Sequence, residues 1–295
     1  MNLATTTRPV APPLVPGAVP APGYEVLAHL DRTGWLDLYD AWSQERECRC
    51  VVKVLRPDRR DEPRLAGRLV REGRWLQRFT HPHLVRAYET FESPEPIVVL
   101  ETLTGETLSH LIDRLPRRAS AGDVAVLGVQ LCSALHYLHG QGLLHLDLKP
   151  ANVVVECAHA KVLDLSVAQP PGTAPAGAGT FGYMAPEQAR GGALSAAADV
   201  WGIGITLYEL ATGELPFDLG DTVDGTTDSA APYWYPQLEE PAAPVSARRR
   251  LPAALAAAVD GCLRPGPADR PSLSELSAAL DATLPRRRRD TPEAA

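Results

Sequence analysis

Lysine is nearly absent from this chain. Of its 29 basic residues only Lys53, Lys149 and Lys161 are not arginine, a skew that, with the 28 prolines and abundant alanine, reflects a GC-rich coding sequence rather than a function. Net positive charge is also lacking. A formal charge of −7 excludes a general nucleic-acid binder, which is ordinarily basic. No apolar run is long enough to cross a bilayer: the best of them, Val200 to Ala211, falls short of the roughly 20 residues required. A secretory signal is not expected either, because six prolines among residues 9–22 break any apolar stretch there. The 5 cysteines are scattered and odd in number, which fits reduced thiols and makes the cytosol the expected compartment. Cys48 and Cys50 would share one face of a strand, but no second pair or histidine cluster accompanies them, so no metal site is expected there.

What is present is enough chain, at 295 residues, for one large core or two lobes, hiding roughly 75% of the unfolded surface. The Pro-rich residues 1–23 lack periodicity and predict a disordered or polyproline tail, with a docking segment as the other reading. From Tyr24 to Leu55 short alternating runs predict strands and hairpins, clearest at Val51 to Leu55, and Ile97 to Leu100 predicts another buried strand. Between them Leu65, Leu69, Glu72, Leu76 and Phe79 recur at helical spacing, predicting a helix from about Arg64 to Phe79. Beyond Thr104 the pattern turns helical, over Val124 to His139, Ala197 to Leu210, Ala253 to Leu263 and Leu273 to Leu284. The chain therefore divides into a sheet with one main helix (24–103) and a larger helical part (104–284). A basic tail (285–295) follows, whose Arg286–Arg289 run is a solvated end rather than an anchor. Irregular loops are expected at 170–175 and 232–252.

The stretch His145-Leu-Asp-Leu-Lys-Pro-Ala-Asn152 carries the most chemistry. Asp147 can accept a proton from an attacking hydroxyl, Lys149 can neutralise a transferring phosphate, and Asn152 can hold a metal ion through its amide oxygen. The stretch resembles the H-R-D-L-x-x-x-N catalytic loop of protein kinases. Matching motifs stand around it. Lys53 in Val-Val-Lys-Val-Leu is similar to the phosphate-gripping strand lysine of that family, and a buried ammonium there needs an anionic partner. Glu72 in the first helix is the candidate; Glu62, just before Pro63, is less attractive. Leu163-Asp164-Leu165-Ser166 stands where the metal-binding D-F-G motif belongs, with Asp164 as the carboxylate that a hard cation requires. Gly179 to Glu187 resembles the end of an activation segment, with Ala185-Pro186-Glu187 as its A-P-E motif. Asp199-Val-Trp-Gly and Asp269-Arg270-Pro-Ser resemble the start of the central helix and the late motif whose arginine pairs with the A-P-E glutamate.

The chain is thus identified, over residues 24 to about 284, as similar to bacterial eukaryotic-like serine/threonine protein kinases. The resemblance implies an α+β, bilobal protein-kinase fold, with a small antiparallel-sheet N-lobe carrying one main helix and a larger, mostly helical C-lobe. It implies ATP and Mg2+, with Mn2+ as an alternative, and a protein substrate with a Ser/Thr acceptor, autophosphorylation included. Lys53 held by Glu72 would orient the α- and β-phosphates, and Asn152 and Asp164 would bind metal. Asp147 would take the hydroxyl proton, Lys149 would offset γ-phosphate charge, and Thr180 would contact both. Val51, Leu30, Leu38, Val154 and the stretch Glu101 to Leu103 would line the nucleotide.

Three departures stand against this pattern. Asp31, Thr33 and Leu36 occupy the places of the three lid glycines, and the alternative register puts Asp37 at the third, so weakened ATP binding is expected. Leu146 replaces the catalytic-loop arginine that receives an activation-loop phosphate, so activity independent of loop phosphorylation is expected. Ser166 replaces glycine and should make that loop flip less readily. Two rival readings are a scaffold or nucleotide-binding pseudokinase, and a small-molecule phosphotransferase. The second is disfavoured by Ala185-Pro186-Glu187 and Arg270, which belong to the protein-substrate apparatus.

Overall fold

The structure, a computed structural model, describes residues 11–219 and 235–284. It divides into two compact units, one running to Thr104 and including Leu163–Ser166, the other made of Gly105–Val162 and the chain from Val167 onward.

In the first unit β1 (Tyr24–Arg32), β2 (Leu36–Ser43), β3 (Cys48–Leu55), β4 (Ala87–Phe91) and β5 (Ile97–Glu101) form an antiparallel sheet in the order β1-β2-β3-β5-β4. Side chains alternate along a strand, and β3 uses both faces. Cys50, Val52 and Val54 join Tyr39, Ala41, Ile97 and Val99 in one buried cluster. Lys53, opposite Leu38 in β2 and Val98 in β5, points to the other face, where α1 (Pro63–Arg78) packs. Proline at the first helical position is preorganised for a helix start, and α1 buries Leu69, Glu72, Gly73 and Leu76. A Cβ at Gly73 would run into Thr90 and Val98, so glycine is what lets α1 lie this close to β4 and β5.

The N-terminal segment differs from the expected tail over its described part, residues 11–23; residues 1–10 lie outside the described residues. Gly17 N–H donates to Val26 O at 2.8 Å, Val26 N–H to Ala18 O at 2.8 Å, and Leu14 N–H to Tyr39 Oη at 2.9 Å. Leu14 and Ala18 pack on the apolar cluster to which Ala21 itself belongs. A sheet that is apolar on both faces needs both covered; α1 covers one and this strap the other. Its prolines supply apolar surface without periodicity, which is why the sequence pattern did not reveal the packing.

In the second unit the long helices are α3 (Ala121–Gly140), α5 (Ala196–Thr212), α8 (Ala253–Cys262) and α9 (Leu273–Asp281). Shorter helices are α2 (Leu108–Arg114), α4 (Pro186–Arg190), α6 (Pro236–Glu239) and α7 (Val245–Arg248). Close packing again uses glycine: a Cβ at Gly128 of α3 would strike Leu207 and Leu280, and one at Gly204 of α5 would strike Cys262 and Leu263. α3 starts at Ala121, ahead of the expected start at Val124, because Ser120 and Asp123 form a capping box. The longest apolar helix is α3, not the run at 200–211: α3 is long and apolar enough to cross a membrane by length and composition. It also buries nine residues in this unit, Leu131 and Leu135 among them, as a core helix does. Small strand sets β6 (Glu106–Thr107), β7 (Val153–Glu156) and β8 (His159–Val162), and β9 (Gly172–Ala174) with β10 (Gly192–Leu194), complete the unit. Part of the segment expected as an irregular loop, 235–252, is helical in α6 and α7, while 232–234 and the basic tail lie outside the described residues.

Candidate active site

In the first unit Lys53 and Glu72 meet as the sequence predicts. β3 presents Lys53 toward α1, and its Nζ donates to Glu72 Oε1 at 2.7 Å and lies 3.9 Å from Asp164 Oδ1. Lys53 is 5% exposed and Glu72 0%. Burial alone would push the ammonium down, but the Asp164 and Glu72 carboxylates outweigh it and hold Lys53 above its usual range. Burial also raises the Glu72 carboxyl, more than Lys53 lowers it. Asp164 adopts a left-handed backbone, φ 55°, which aspartate tolerates better than most residues. Its Oδ1 accepts the Ser166 N–H at 2.9 Å. Glu62 is the residue just before α1, outside the helix as expected.

The β1–β2 connection is a tight turn rather than an open loop. Thr33 Oγ1 accepts the backbone N–H of Leu36 at 3.0 Å and of Trp35 at 3.4 Å, and Thr33 N–H donates to Leu36 O at 2.9 Å. The N–H groups that a glycine-rich lid would offer to phosphate are thus taken by a side chain of the turn itself. Asp37, which the alternative register puts at the third lid glycine, is 1% exposed and neutralised locally. Arg32 Nε and Nη2 reach its two oxygens at 2.6 and 2.8 Å, with His29 Nε2 at 3.2 Å. Burial would raise the Asp37 carboxyl, but Arg32 and His29 bring it below the usual carboxylate range. Of the expected nucleotide-lining residues, Leu38 faces the same side as Lys53, being its register partner, while Leu30 sits at a β-bulge and is 52% exposed. Glu101 ends β5 and accepts the Arg86 N–H at 2.9 Å.

In the second unit Asp147, Lys149, Asn152 and Thr180 form one cluster. Thr180 Oγ1 donates to Asp147 Oδ1 at 2.6 Å and accepts from Lys149 Nζ at 2.5 Å, while Lys149 Nζ lies 3.2 Å from Asp147 Oδ2. Asn152 Nδ2 donates to Asp147 O at 2.8 Å and to Asp147 Oδ2 at 3.1 Å, so its carbonyl oxygen is the atom left to face a cation. That oxygen in the second unit and the Asp164 carboxylate in the first are each, by their chemistry, the kind of hard donor that magnesium takes. Among the described residues no group of three or more His, Cys, Asp or Glu could hold a metal by itself. Val154, expected against the nucleotide, lies in β7 and is 9% exposed.

The backbone of this cluster is held from below. Asp199 near the start of α5 accepts the N–H groups of His145 at 2.9 Å and Leu146 at 2.7 Å, and contacts His139 Nε2 at 2.7 Å. Leu146 is 4% exposed with φ 65°, so the residue standing where an arginine was looked for points into the core. Gln188, which the sequence reading passed over, donates from Nε2 to Leu146 O at 2.8 Å and to Ala178 O at 2.6 Å. Its only sequence signal is its place directly after Ala185-Pro186-Glu187. Arg270 meets Glu187 with two bonds of 2.7 and 2.9 Å, as expected.

Comparison with known proteins agrees with this geometry. The model described as "Protein kinase domain" matches residues 34–279. Serine/threonine-protein kinase PknB of Mycobacterium tuberculosis is 35% identical over 240 residues, 75% of this chain and 36% of that protein. Serine/threonine-protein kinase pkn3 of Myxococcus xanthus is 32% identical over 286 residues, 90% of this chain and 51% of that protein. The chain thus spans about a third to a half of the length of these relatives. The crystal structure of the Mycobacterium tuberculosis PknI kinase domain superposes with a TM-score of 0.69 at 25% identity, covering 92% of this chain and 99% of that one.

Proposed function

Because the chain belongs to the protein kinase family, we propose that it is an ATP-dependent serine/threonine kinase, transferring the γ-phosphate to hydroxyls of protein substrates, itself included. The Asp147–Lys149–Thr180 cluster carries this reading. A scaffold has no need of a carboxylate held 3.2 Å from an ammonium by a hydroxyl that bridges the two. Asp147 positions the acceptor hydroxyl and takes its proton, a contribution worth roughly 10²–10⁴-fold. Lys149 offsets charge developing on the γ-phosphate. Lys53, kept protonated by two carboxylates, orients the α- and β-phosphates. The Asp164 carboxylate would hold one magnesium ion and the Asn152 carbonyl another, and such ions neutralise phosphate charge when bound. Five free thiols support the cytosol as the compartment.

A second reading, a pseudokinase that binds nucleotide or a partner without transfer, is favoured by the Thr33 hydroxyl that occupies the lid N–H groups. The test is transfer of labelled γ-phosphate to the protein and to a generic basic protein, with Mg2+ and with Mn2+, beside Asp147→Asn. Transfer that falls by roughly a hundredfold or more in the variant supports a working kinase. No transfer, with ATP still raising the melting temperature, supports the pseudokinase; absence of both overturns the nucleotide reading.

A further inference from the structure

Ser166 is 7% exposed and has two acceptors that converge on one side chain. Arg68 Nε donates to the Ser166 carbonyl at 2.5 Å and Arg68 Nη2 to its hydroxyl at 3.0 Å. Arg68 stands four residues before Glu72 on α1, and residues at that spacing share a helix face. One face of one helix thus holds Lys53 through Glu72 and the Asp164 segment through Arg68. The Arg68 guanidinium lies 4.8 Å from the centre of the Trp35 ring, a cation–π distance, and Trp35 belongs to the β1–β2 turn.

We propose that Arg68 is a positioning residue that locks the Asp164 segment through Ser166, with Trp35 making the lock depend on the β1–β2 hairpin. What Asp164 does once positioned rests on the kinase reading; the lock itself does not. Glycine at 166 would leave only a main-chain acceptor and would add backbone freedom. Serine supplies the second acceptor that a planar guanidinium fork can use together with the first. Lysine at 68 carries a single ammonium without that fork. The segment needs holding, because Asp164 sits at φ 55°, a region costly for residues other than glycine.

The test is hydrogen exchange of the amides of residues 164–167, read beside the metal concentration for half-maximal transfer and the kcat. The proteins are wild type, Arg68→Ala, Arg68→Lys, Ser166→Ala, Trp35→Ala and the Arg68→Ala/Ser166→Ala double variant. Arg68→Ala is expected to speed Ser166 amide exchange about tenfold and to raise the metal requirement about tenfold, with kcat at saturating metal within about twofold of wild type. Arg68→Lys recovers only part of either effect, Ser166→Ala and Trp35→Ala are intermediate, and the double variant is no worse than Arg68→Ala. Exchange within twofold of wild type in Arg68→Ala overturns the lock, as do effects of Arg68→Ala and Ser166→Ala that simply multiply. Faster exchange with an unchanged metal requirement overturns the positioning role. If wild type transfers no phosphate, exchange alone decides the lock and the kinase reading fails separately. If Arg68→Ala does not fold, Ser166→Ala and Arg68→Lys decide in its place.

Discussion

Truncating Arg270 should lower the melting temperature of the second unit further than any other single surface-distant change in that unit. The Arg270 side chain is 0% exposed and pairs with Glu187, which is 12% exposed. It also donates to three carbonyls, Ala197 O at 2.8 Å, Arg264 O at 2.8 Å and Pro265 O at 3.1 Å, and lies 4.9 Å from the centre of the Trp201 ring. Removing one partner of a buried ion pair costs about 3–5 kcal/mol, because the other charge is stranded. The three deserted carbonyls place Arg270→Leu at the upper end, about 5 kcal/mol, and each buried acceptor left unmade adds desolvation cost. For a unit of this size, about 2–4 °C per kcal/mol converts that into a drop of roughly 10–20 °C. Glu187→Leu strands the buried Arg270 charge and should also cost about 3–5 kcal/mol, toward the lower end because Arg270 keeps its carbonyl partners. The Arg270→Leu/Glu187→Leu protein should be less destabilised than the sum by about 1–3 kcal/mol. Melts of the four proteins followed by circular dichroism provide the check. Arg270→Leu melting within about 2 °C of wild type, or strict additivity in the double variant, would refute the argument.

Other expectations follow from the same reasoning. Asp31→Gly with Thr33→Gly frees the N–H groups of Trp35 and Leu36 and removes one negative charge. At about 0.5–1.5 kcal/mol per hydrogen bond, two bonds make about 1–3 kcal/mol, so ATP should bind roughly fivefold to a hundredfold tighter by displacement of a fluorescent nucleotide, and an unchanged affinity would clear Thr33 of blame. Gln188→Ala strands Leu146 O and Ala178 O, so kcat should drop about tenfold while KM for ATP stays within twofold. Phosphatase treatment of wild type should leave the rate unchanged, and a rate that collapses on dephosphorylation would count against Gln188 as the tether. Burial pushes the Cys50 and Cys132 thiols up to about 12, while an unfolded thiol titrates near 8.5. Since the folded values are raised, their contribution to stability is fully present below pH about 8.5 and is lost as pH rises toward about 12. Cys50→Ala/Cys132→Ala should therefore lose stability less steeply over that window in urea titrations, and parallel slopes would show that these thiols do not titrate on unfolding.

How much of this was legible depended on whether one residue's chemistry forced one partner. Lys53 in an all-apolar strand demanded an anion, and Glu72 lay on the helix face able to supply it, so their 2.7 Å contact follows from charge burial alone. Arg270 with Glu187 came instead from the resemblance of their motifs, and the two meet with bonds of 2.7 and 2.9 Å. Helix extents followed the apolar period, and caps such as Ser120 with Asp123 moved the ends. What stayed hidden was packing by residues with no period and no charge constraint. The strap at 11–23 buries Ala21 through proline-rich chain, and Gln188 bonds two carbonyls that no sequence spacing announces. The neutralised state of Asp37 stayed hidden as well, because Arg32, five residues earlier, gives no sign in sequence that it folds back onto it.

The three departures from the family pattern share a physical consequence. Glycines and the catalytic-loop arginine make parts of a kinase movable or switchable, the first by backbone freedom and the second by waiting for a phosphate. Here each missing element coincides with a side chain that fixes the same place. Thr33 closes its turn over the N–H groups of Trp35 and Leu36. Gln188 ties Leu146, which stands at the place of the family's arginine, to Ala178. Arg68 grips Ser166 beside Asp164. Beside these restraints the contacts of Asp147 with Lys149 and Thr180, and of Lys53 with Glu72, stay between 2.5 and 3.2 Å. On the kinase reading proposed above, the Thr33 turn would cost nucleotide affinity at the lid while the Asp147 cluster would keep its part in the transfer.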